Sequence, residues 1–299
     1  MTLDQVTLEL DPNAQLVLAV LLALIMFSVA LGLTTDDFRR VLRRPGLVLY
    51  GLAMQLIGLP AVTFALAWFI APSPSIALGM IVVAACPGGS VSNFFTLNAR
   101  GDTALSVSLT AVSSVASAIT TPLNVVFWAS LNPDTLRVLA EVGLDRTAFI
   151  VQTTLILAVP LAIGMIVAAR LPGLTAVIRR PCRLLAFAAL SVFIVGAVAA
   201  NWSHLIGFGL IVVPVVIAHN TIALSLGYGA ARIFALPESI RRAFTFEIGI
   251  QNAGLGLVIL LDHFKGLGGA AMITALWGVW HFISGLALVS LWSRRPPRQ

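Results

Sequence analysis

Two short stretches of an otherwise apolar chain carry residues that could do chemistry. In EIGIQNAGLG, residues 247 to 256, the carboxylate Glu247 is followed one helical turn later by the amides Gln251 and Asn252. In CPGGSVSN, residues 86 to 93, Pro87, Gly88 and Gly89 run into Ser90, Ser92 and Asn93. Proline removes a backbone donor and glycine leaves helical dihedrals cheaply. Each stretch therefore frees carbonyls before a break and amides after it. Free carbonyls attract cations and free amides attract anions. For Pro-Gly-Gly alone a kinked helix packed through small residues is an equal reading, and the hydroxyls and amide that follow favour a binding break. For Glu247 the plain alternative is an interfacial ion pair with Arg241 or Arg242. Against it, Gln251 and Asn252 carry the polar stripe inward, where an arginine cannot snorkel.

Further oxygens stand nearby in sequence or at similar depth. Ser106 and Thr110 are spaced i, i+4 and present two hydroxyls on one helix face, although Ser108, Ser113, Ser114 and Ser117 are a reminder that such groups often only bond back to their own helix. Gln55 is an isolated amide, read equally as helix-to-helix glue. Neutral oxygens plus one carboxylate suit a hard monovalent cation such as Na⁺, and thiolate or imidazole clusters for a transition metal are lacking. A serine nucleophile would need a base beside it, yet His204, His219, His263 and His281 lie in other segments. His219, with Asn220 beside it, and His281 read as packing or gating residues before proton carriers. Cys86 and Cys182 build neither a disulfide framework nor a zinc site.

The elements that position these groups have to cross a membrane. Of 299 residues 59% are hydrophobic and 10% charged, with a mean hydropathy of +1.00, far above a water-soluble domain. A span needs roughly 20 apolar residues, and candidates lie near 14–34, 45–70, 75–98, 102–130, 147–170, 183–202, 204–232, 239–262 and 268–292. The expectation is an all-α polytopic protein of nine transmembrane helices in a single domain over 1–299. With the N-terminus outside, Arg39, Arg40, Arg43, Arg44, Arg100, Arg170, Arg179, Arg180, Arg183, Arg232, Arg241, Arg242, Arg294, Arg295 and Arg298 gather on one side. Only Arg137, Arg146 and Lys265 fall on the other. That asymmetry puts the C-terminus in the cytoplasm and explains the formal charge of +6 without nucleic acid. The acidic start, with Asp4, Glu9 and Asp11, has no basic n-region of a cleavable signal. Glu247 is then the one acid inside a span, where a carboxylate costs several kcal/mol without a partner.

The third and eighth segments are both internally broken and run antiparallel, which is what an inverted-repeat carrier uses at its binding site. Nine helices divide as four plus five, with a first repeat over about 14–130 and a second over about 147–292.

CPGG followed by SN in one crossing helix, and E-x-G-x-Q-N in the other, resemble the bile acid:sodium symporter family, from about Ile25 to Leu291. The resemblance implies a panel domain facing a core domain in which the broken helices, about 75–98 and 239–262, cross. It implies two Na⁺ as coupling ions and no other cofactor. The first sodium site would use Ser92, Asn93, Ser106, Thr110 and Glu247; the second, Gln55, Glu247 and Gln251 with the carbonyls of Ile248 and Ile250. Ser90, Asn252 and His281 would face the substrate, a small or amphipathic organic anion such as a bile acid or other carboxylate, imported by symport across the inner membrane. Two departures stand out. The chain starts at what resembles the second helix of ten-helix bacterial members, and Phe282 follows His281 where some relatives have a polar residue. The competing expectation is a proton-coupled efflux carrier resembling the arsenite exporters, with Cys86 at the break; an enzyme and a non-transporting receptor rank lower.

Overall fold

In a bilayer core no water satisfies a free backbone group, so each apolar segment has to close its own hydrogen bonds as a helix. The computed structural model, which describes Asp4 and residues 14–200, 202–264 and 267–294, is helical accordingly. The helices are α1 (Ala14–Ala30), α2 (Thr35–Val41), α3 (Pro45–Ala53), α4 (Leu59–Ile70), α5 (Pro74–Ala85), α6 (Ser90–Asn98), α7 (Thr103–Leu131), α8 (Pro133–Glu141), α9 (Arg146–Arg170), α10 (Pro172–Ala200), α11 (Trp202–Ile233), α12 (Glu238–Gly249), α13 (Ala253–His263) and α14 (Gly268–Ser293). Glu9, Asp11, Lys265, Arg295 and Arg298 lie outside the described residues, as does the side chain of His204.

Among the described residues five helices are long and apolar enough to cross a membrane: Pro45–Ile70, Thr103–Leu131, Arg146–Arg170, Gly207–Ile233 and Gly268–Ser293. A sixth is counted if α1 and α2, bent by 70°, form one span. The third and eighth expected segments are each two short helices, α5 with α6 and α12 with α13. Two boundaries differ from the sequence expectation. Helix α10 begins at Pro172 rather than near 183, because Pro172 occupies its first turn and Thr175 Oγ1 bonds back to the Val167 and Leu171 carbonyls. Two short polar helices, α2 and α8, fill stretches expected as loops. A capping box between Thr34 and Asp37 starts α2, while Asn132, whose side chain accepts from the Asp134 amide, starts α8.

Helices α3 and α4 form one rod through a π-helical turn, Met54–Gly58. Pro60 cannot donate to the Leu56 carbonyl, and Asn124 Nδ2 of α7 donates to it instead at 3.0 Å. That turn carries Gln55, which is buried. Helix α7 likewise supports the end of α5: Thr121 Oγ1 donates to the Ala85 carbonyl at 2.9 Å. Two apolar clusters sit on either side of α5 and α7. One joins α1, α8, α9 and α13 around Leu18, Phe149 and Phe264; the other joins α3, α4, α11, α12 and α14 around Phe244 and Trp277. Helix α1 packs on α9 and α10 and touches α13.

Candidate functional site

The two breaks meet. Between α5 and α6 the chain leaves helical dihedrals at Cys86 (φ −75°, ψ 155°) and re-enters after Gly89. Between α12 and α13 it leaves at Ile250 (φ −120°, ψ 94°). Gly88 and Gln251 form an antiparallel bridge, and the Asn252 amide donates to the Pro87 carbonyl at 2.9 Å. Gly88 has to be glycine for this approach: a Cβ there would fall 2.8 Å from Glu247 Oε2 and 2.9 Å from Gln55 Nε2.

Around the crossing the structure gathers the oxygens of the first expected site. Glu247 is 1% exposed. Its Oε1 accepts from Ser92 Oγ and Ser106 Oγ, each at 2.6 Å, and both its oxygens lie 2.9 Å from Thr110 Oγ1. Asn93 Oδ1 lies 2.7 Å from Ser106 Oγ and 3.2 Å from Thr110 Oγ1, and Ser92 Oγ also reaches the Gly89 carbonyl at 2.6 Å. Each hydroxyl carries a single proton, so these oxygens make more short contacts than they have protons to share. Oxygen-rich and proton-poor, the cluster fits a cation. Among the described residues no arginine or lysine forms an ion pair with Glu247; Arg241 and Arg242 bind Glu238 instead, at 3.9 and 3.1 Å. The interfacial pairing weighed from sequence does not form.

The second expected set lies against the same residue. Gln55 Nε2 and Gln251 Nε2 both donate to the Glu247 carbonyl, at 3.0 and 3.2 Å, and Gln251 Nε2 also reaches the Ile248 carbonyl at 2.8 Å. The Oε1 atoms of both amides are buried without a hydrogen-bond partner. An unmet acceptor is costly in a low-dielectric interior, and two of them hung from one carbonyl beside a carboxylate fit a further cation. Ile250 has left helical dihedrals, although its amide still donates to the Phe246 carbonyl at 2.9 Å.

Ser90, Asn252 and His281 are not joined by any hydrogen bond among the described residues. Ser90 is exposed in the first turn of α6. Asn252 caps α13, its side chain accepting from the Leu255 amide at 3.1 Å. His281 is buried on α14 with both ring nitrogens unpartnered and its ring 4.7 Å from that of Phe282. His219 bonds Thr63 Oγ1 at 2.8 Å and packs on Trp277, which fits a packing residue. Ser113 and Ser117 bond back to their own helix.

Of two further participants, Thr96 was not singled out from sequence and Asn220 was read only beside His219 as packing or gating. Thr96 Oγ1 lies 3.2 Å from Ser106 Oγ; its i+4 spacing from Ser92 was the available signal. Asn220 Nδ2 donates to the Gly249 carbonyl at 2.8 Å and its Oδ1 accepts from Ser284 Oγ at 2.6 Å. It steadies the last turn of α12, which no sequence spacing reveals.

Comparison with known proteins follows the same line. The sodium bile acid symporter family matches residues 19–208. The chain belongs to that family. An uncharacterized sodium-dependent transporter, YocS of Bacillus subtilis, is 32% identical over 282 residues, which is 93% of this chain and 83% of the relative. A probable chloroplastic sodium/metabolite cotransporter, BASS1 of Oryza sativa subsp. japonica, is 30% identical over 97% of this chain and 68% of its own. Sodium/bile acid cotransporter 5 of Rattus norvegicus is 27% identical over 83% of this chain and 56% of its own. This symporter-family chain is thus a multi-pass membrane transporter of a sodium-dependent family and not an enzyme. The matched stretch ends before α12, so Glu247 lies beyond it, whereas the alignment to the Bacillus transporter spans nearly the whole chain.

Proposed function

We propose that the protein is a sodium-coupled symporter that imports a small or amphipathic organic anion, such as a bile acid or other carboxylate, by alternating access. One observation carries the reading: a buried, ion-pair-free carboxylate, Glu247, sits among hydroxyls short of protons and beside two unpartnered amide oxygens. Ser92, Asn93, Ser106, Thr110 and Glu247 would hold one Na⁺; Gln55, Glu247 and Gln251 with the Ile248 and Ile250 carbonyls would hold a second. Sharing one carboxylate between them makes loading of each ion depend on the other.

Substrate would bind on the amide side of the breaks. The N-terminal ends of α6 and α13 converge there; Asn252 caps α13, whereas Gly89 leaves α6 without a side-chain cap, so the first amides of α6 suit a carboxylate. Ser90, Asn252 and the unpartnered ring of His281 would line the rest. The corresponding architecture is nine crossings in a four-plus-five inverted repeat. A panel of α1, α9 and α10 would move against a core holding the crossing, with the N-terminus outside and the C-terminus in the cytoplasm of a bacterial inner membrane. If two Na⁺ enter with one monoanion, one net positive charge moves, and the membrane potential drives uptake by about 2.3 kcal/mol per 100 mV. The proton-coupled efflux alternative gains no support at Cys86, which is buried in an apolar cluster against Gly256.

The test is uptake of candidate organic anions into proteoliposomes under an inward Na⁺ gradient, with K⁺ in place of Na⁺ as control. Sodium-dependent accumulation that Glu247→Ala abolishes supports the reading; accumulation in K⁺, or sodium-driven uptake retained by the variant, overturns it.

A further inference from the structure

Six arginines elsewhere in the molecule stand beside acids: Arg39 with Asp36, Arg40 with Asp37, Arg44 with Asp102, Arg137 with Asp134, and Arg241 and Arg242 with Glu238. The described ones without an ion pair, Arg43, Arg100, Arg146, Arg232 and Arg294, are scattered one to a loop or helix end. The corner between α9 and α10 is different. Arg170 ends α9, and Arg179, Arg180 and Arg183 lie within one turn of the next helix. All four are exposed, and none forms an ion pair among the described residues. The chain offers them nothing in sequence either, since residues 146 to 237 contain no Asp or Glu.

Their surroundings say what could neutralise them. Leu174, Val177, Leu184 and Leu185 are exposed on the same stretch of α10, so these turns combine lipid-seeking apolar side chains with guanidinium groups, the pattern of a helix lying at the headgroup level. Arg179 reaches across to the end of α1, its Nη2 3.4 Å from where a Cβ on Gly32 would stand, which puts a guanidinium on the seam between α1 and α10. An aqueous anion would leave the leucines bare; a headgroup attached to acyl chains covers both. We infer that the α9–α10 corner binds the headgroup of an anionic phospholipid, with Arg170, Arg179, Arg180 and Arg183 as its ligands. Because it involves only α1, α9 and α10, the lipid would hold this side of the protein at the bilayer surface while the crossing helices, on other elements, remain free of it.

The experiment titrates the full chain in detergent with dioleoylphosphatidylglycerol, against dioleoylphosphatidylcholine, and follows bound lipid by native mass spectrometry. The triple variant R179Q/R180Q/R183Q is expected to bind phosphatidylglycerol roughly a hundredfold more weakly, about fivefold per arginine, with no change for phosphatidylcholine. The variant R100Q/R232Q, which removes exposed arginines from other corners, is expected to match wild type. Equal loss in both variants would mean a bulk charge effect, and full retention in the triple variant would mean another site; either overturns the inference. So does displacement of the lipid by inorganic phosphate at equal concentration, which would mark a free-anion site. Should the triple variant fail to fold, R179Q and R183Q singly, each expected at about fivefold, decide the matter.

Discussion

The two breaks meet at one point but are made of different materials. The α5–α6 break is stripped down: Pro87, Gly88 and Gly89 contribute backbone, and the first hydroxyl to reach Glu247 is that of Ser92 in α6. The α12–α13 break keeps its side chains, Glu247, Gln251 and Asn252, and carries the charge. The difference is complementary, because the space Gly88 leaves empty is the space Glu247 Oε2 and Gln55 Nε2 fill. Each break is also tied by a different long helix, Ala85 by Thr121 of α7 and Gly249 by Asn220 of α11. A crossing with two carboxylates would bear two desolvation penalties, each of several kcal/mol. Emptying one half and charging the other leaves a single carboxylate to serve two groups of oxygens.

The largest effect should come from removing that charge. Glu247→Gln keeps the shape and hydrogen-bonding reach of the side chain but not the anion. Wild type should gain stability in NaCl over KCl, by about 2.7 kcal/mol at a hundred times Kd, and the variant should gain none. In KCl alone the variant should be the more stable of the two, since a buried carboxylate without a partner is costly. Thermal unfolding in detergent at equal ionic strength checks both signs. A variant that still responds to Na⁺ would mean that the charge is not what the oxygens serve.

The complementarity of the breaks predicts that adjacent glycines differ. Gly88→Ala pushes a methyl into Glu247 and Gln55 and should cost about 1–3 kcal/mol, weakening the sodium response as well. Gly89→Ala meets nothing within 4 Å and should stay within about 0.5 kcal/mol of wild type. The same sodium-versus-potassium melts, run on both variants, separate them; equal behaviour would mean that the close approach at Gly88 is not required.

Much of this site was legible in the residues. The apolar segments, both breaks and the set Ser92, Asn93, Ser106, Thr110, Glu247 and Gln251 follow from local composition, because an intramembrane acid and a Pro-Gly-Gly run are rare enough to stand out. What could not be read depends on partners distant in the chain. Nothing near Asn220 says that it reaches Gly249, and nothing near Glu238 says that it takes both neighbouring arginines away from Glu247. The π-turn at Gln55 needed Asn124 to take the carbonyl that Pro60 abandons. The early start of α10 was obscured because Arg179, Arg180 and Arg183 look like a loop, although a helix at the headgroup level carries such residues readily.

The smallest effect is the most discriminating between the two ties. Thr121→Ala and Asn220→Ala each delete a hydrogen bond to a break carbonyl, at about 1 kcal/mol of stability for the first and about 2 kcal/mol for the second, which also loses the bond from Ser284 Oγ. Their consequences for sodium should diverge. The Ala85 carbonyl precedes Cys86 and Pro87 and belongs to the apolar end of α5, remote in its bonding from the oxygen cluster. The Gly249 carbonyl shares its turn with the Glu247 and Ile248 carbonyls, which hold the Gln55 and Gln251 amides in place. Loosening that turn should raise the apparent Kd for Na⁺ about fivefold, the equivalent of about 1 kcal/mol, in Asn220→Ala alone. A sodium titration of melting temperature for both variants measures this. Equal shifts would mean that the crossing moves as one rigid body, so that a tie at either end reaches the ions alike.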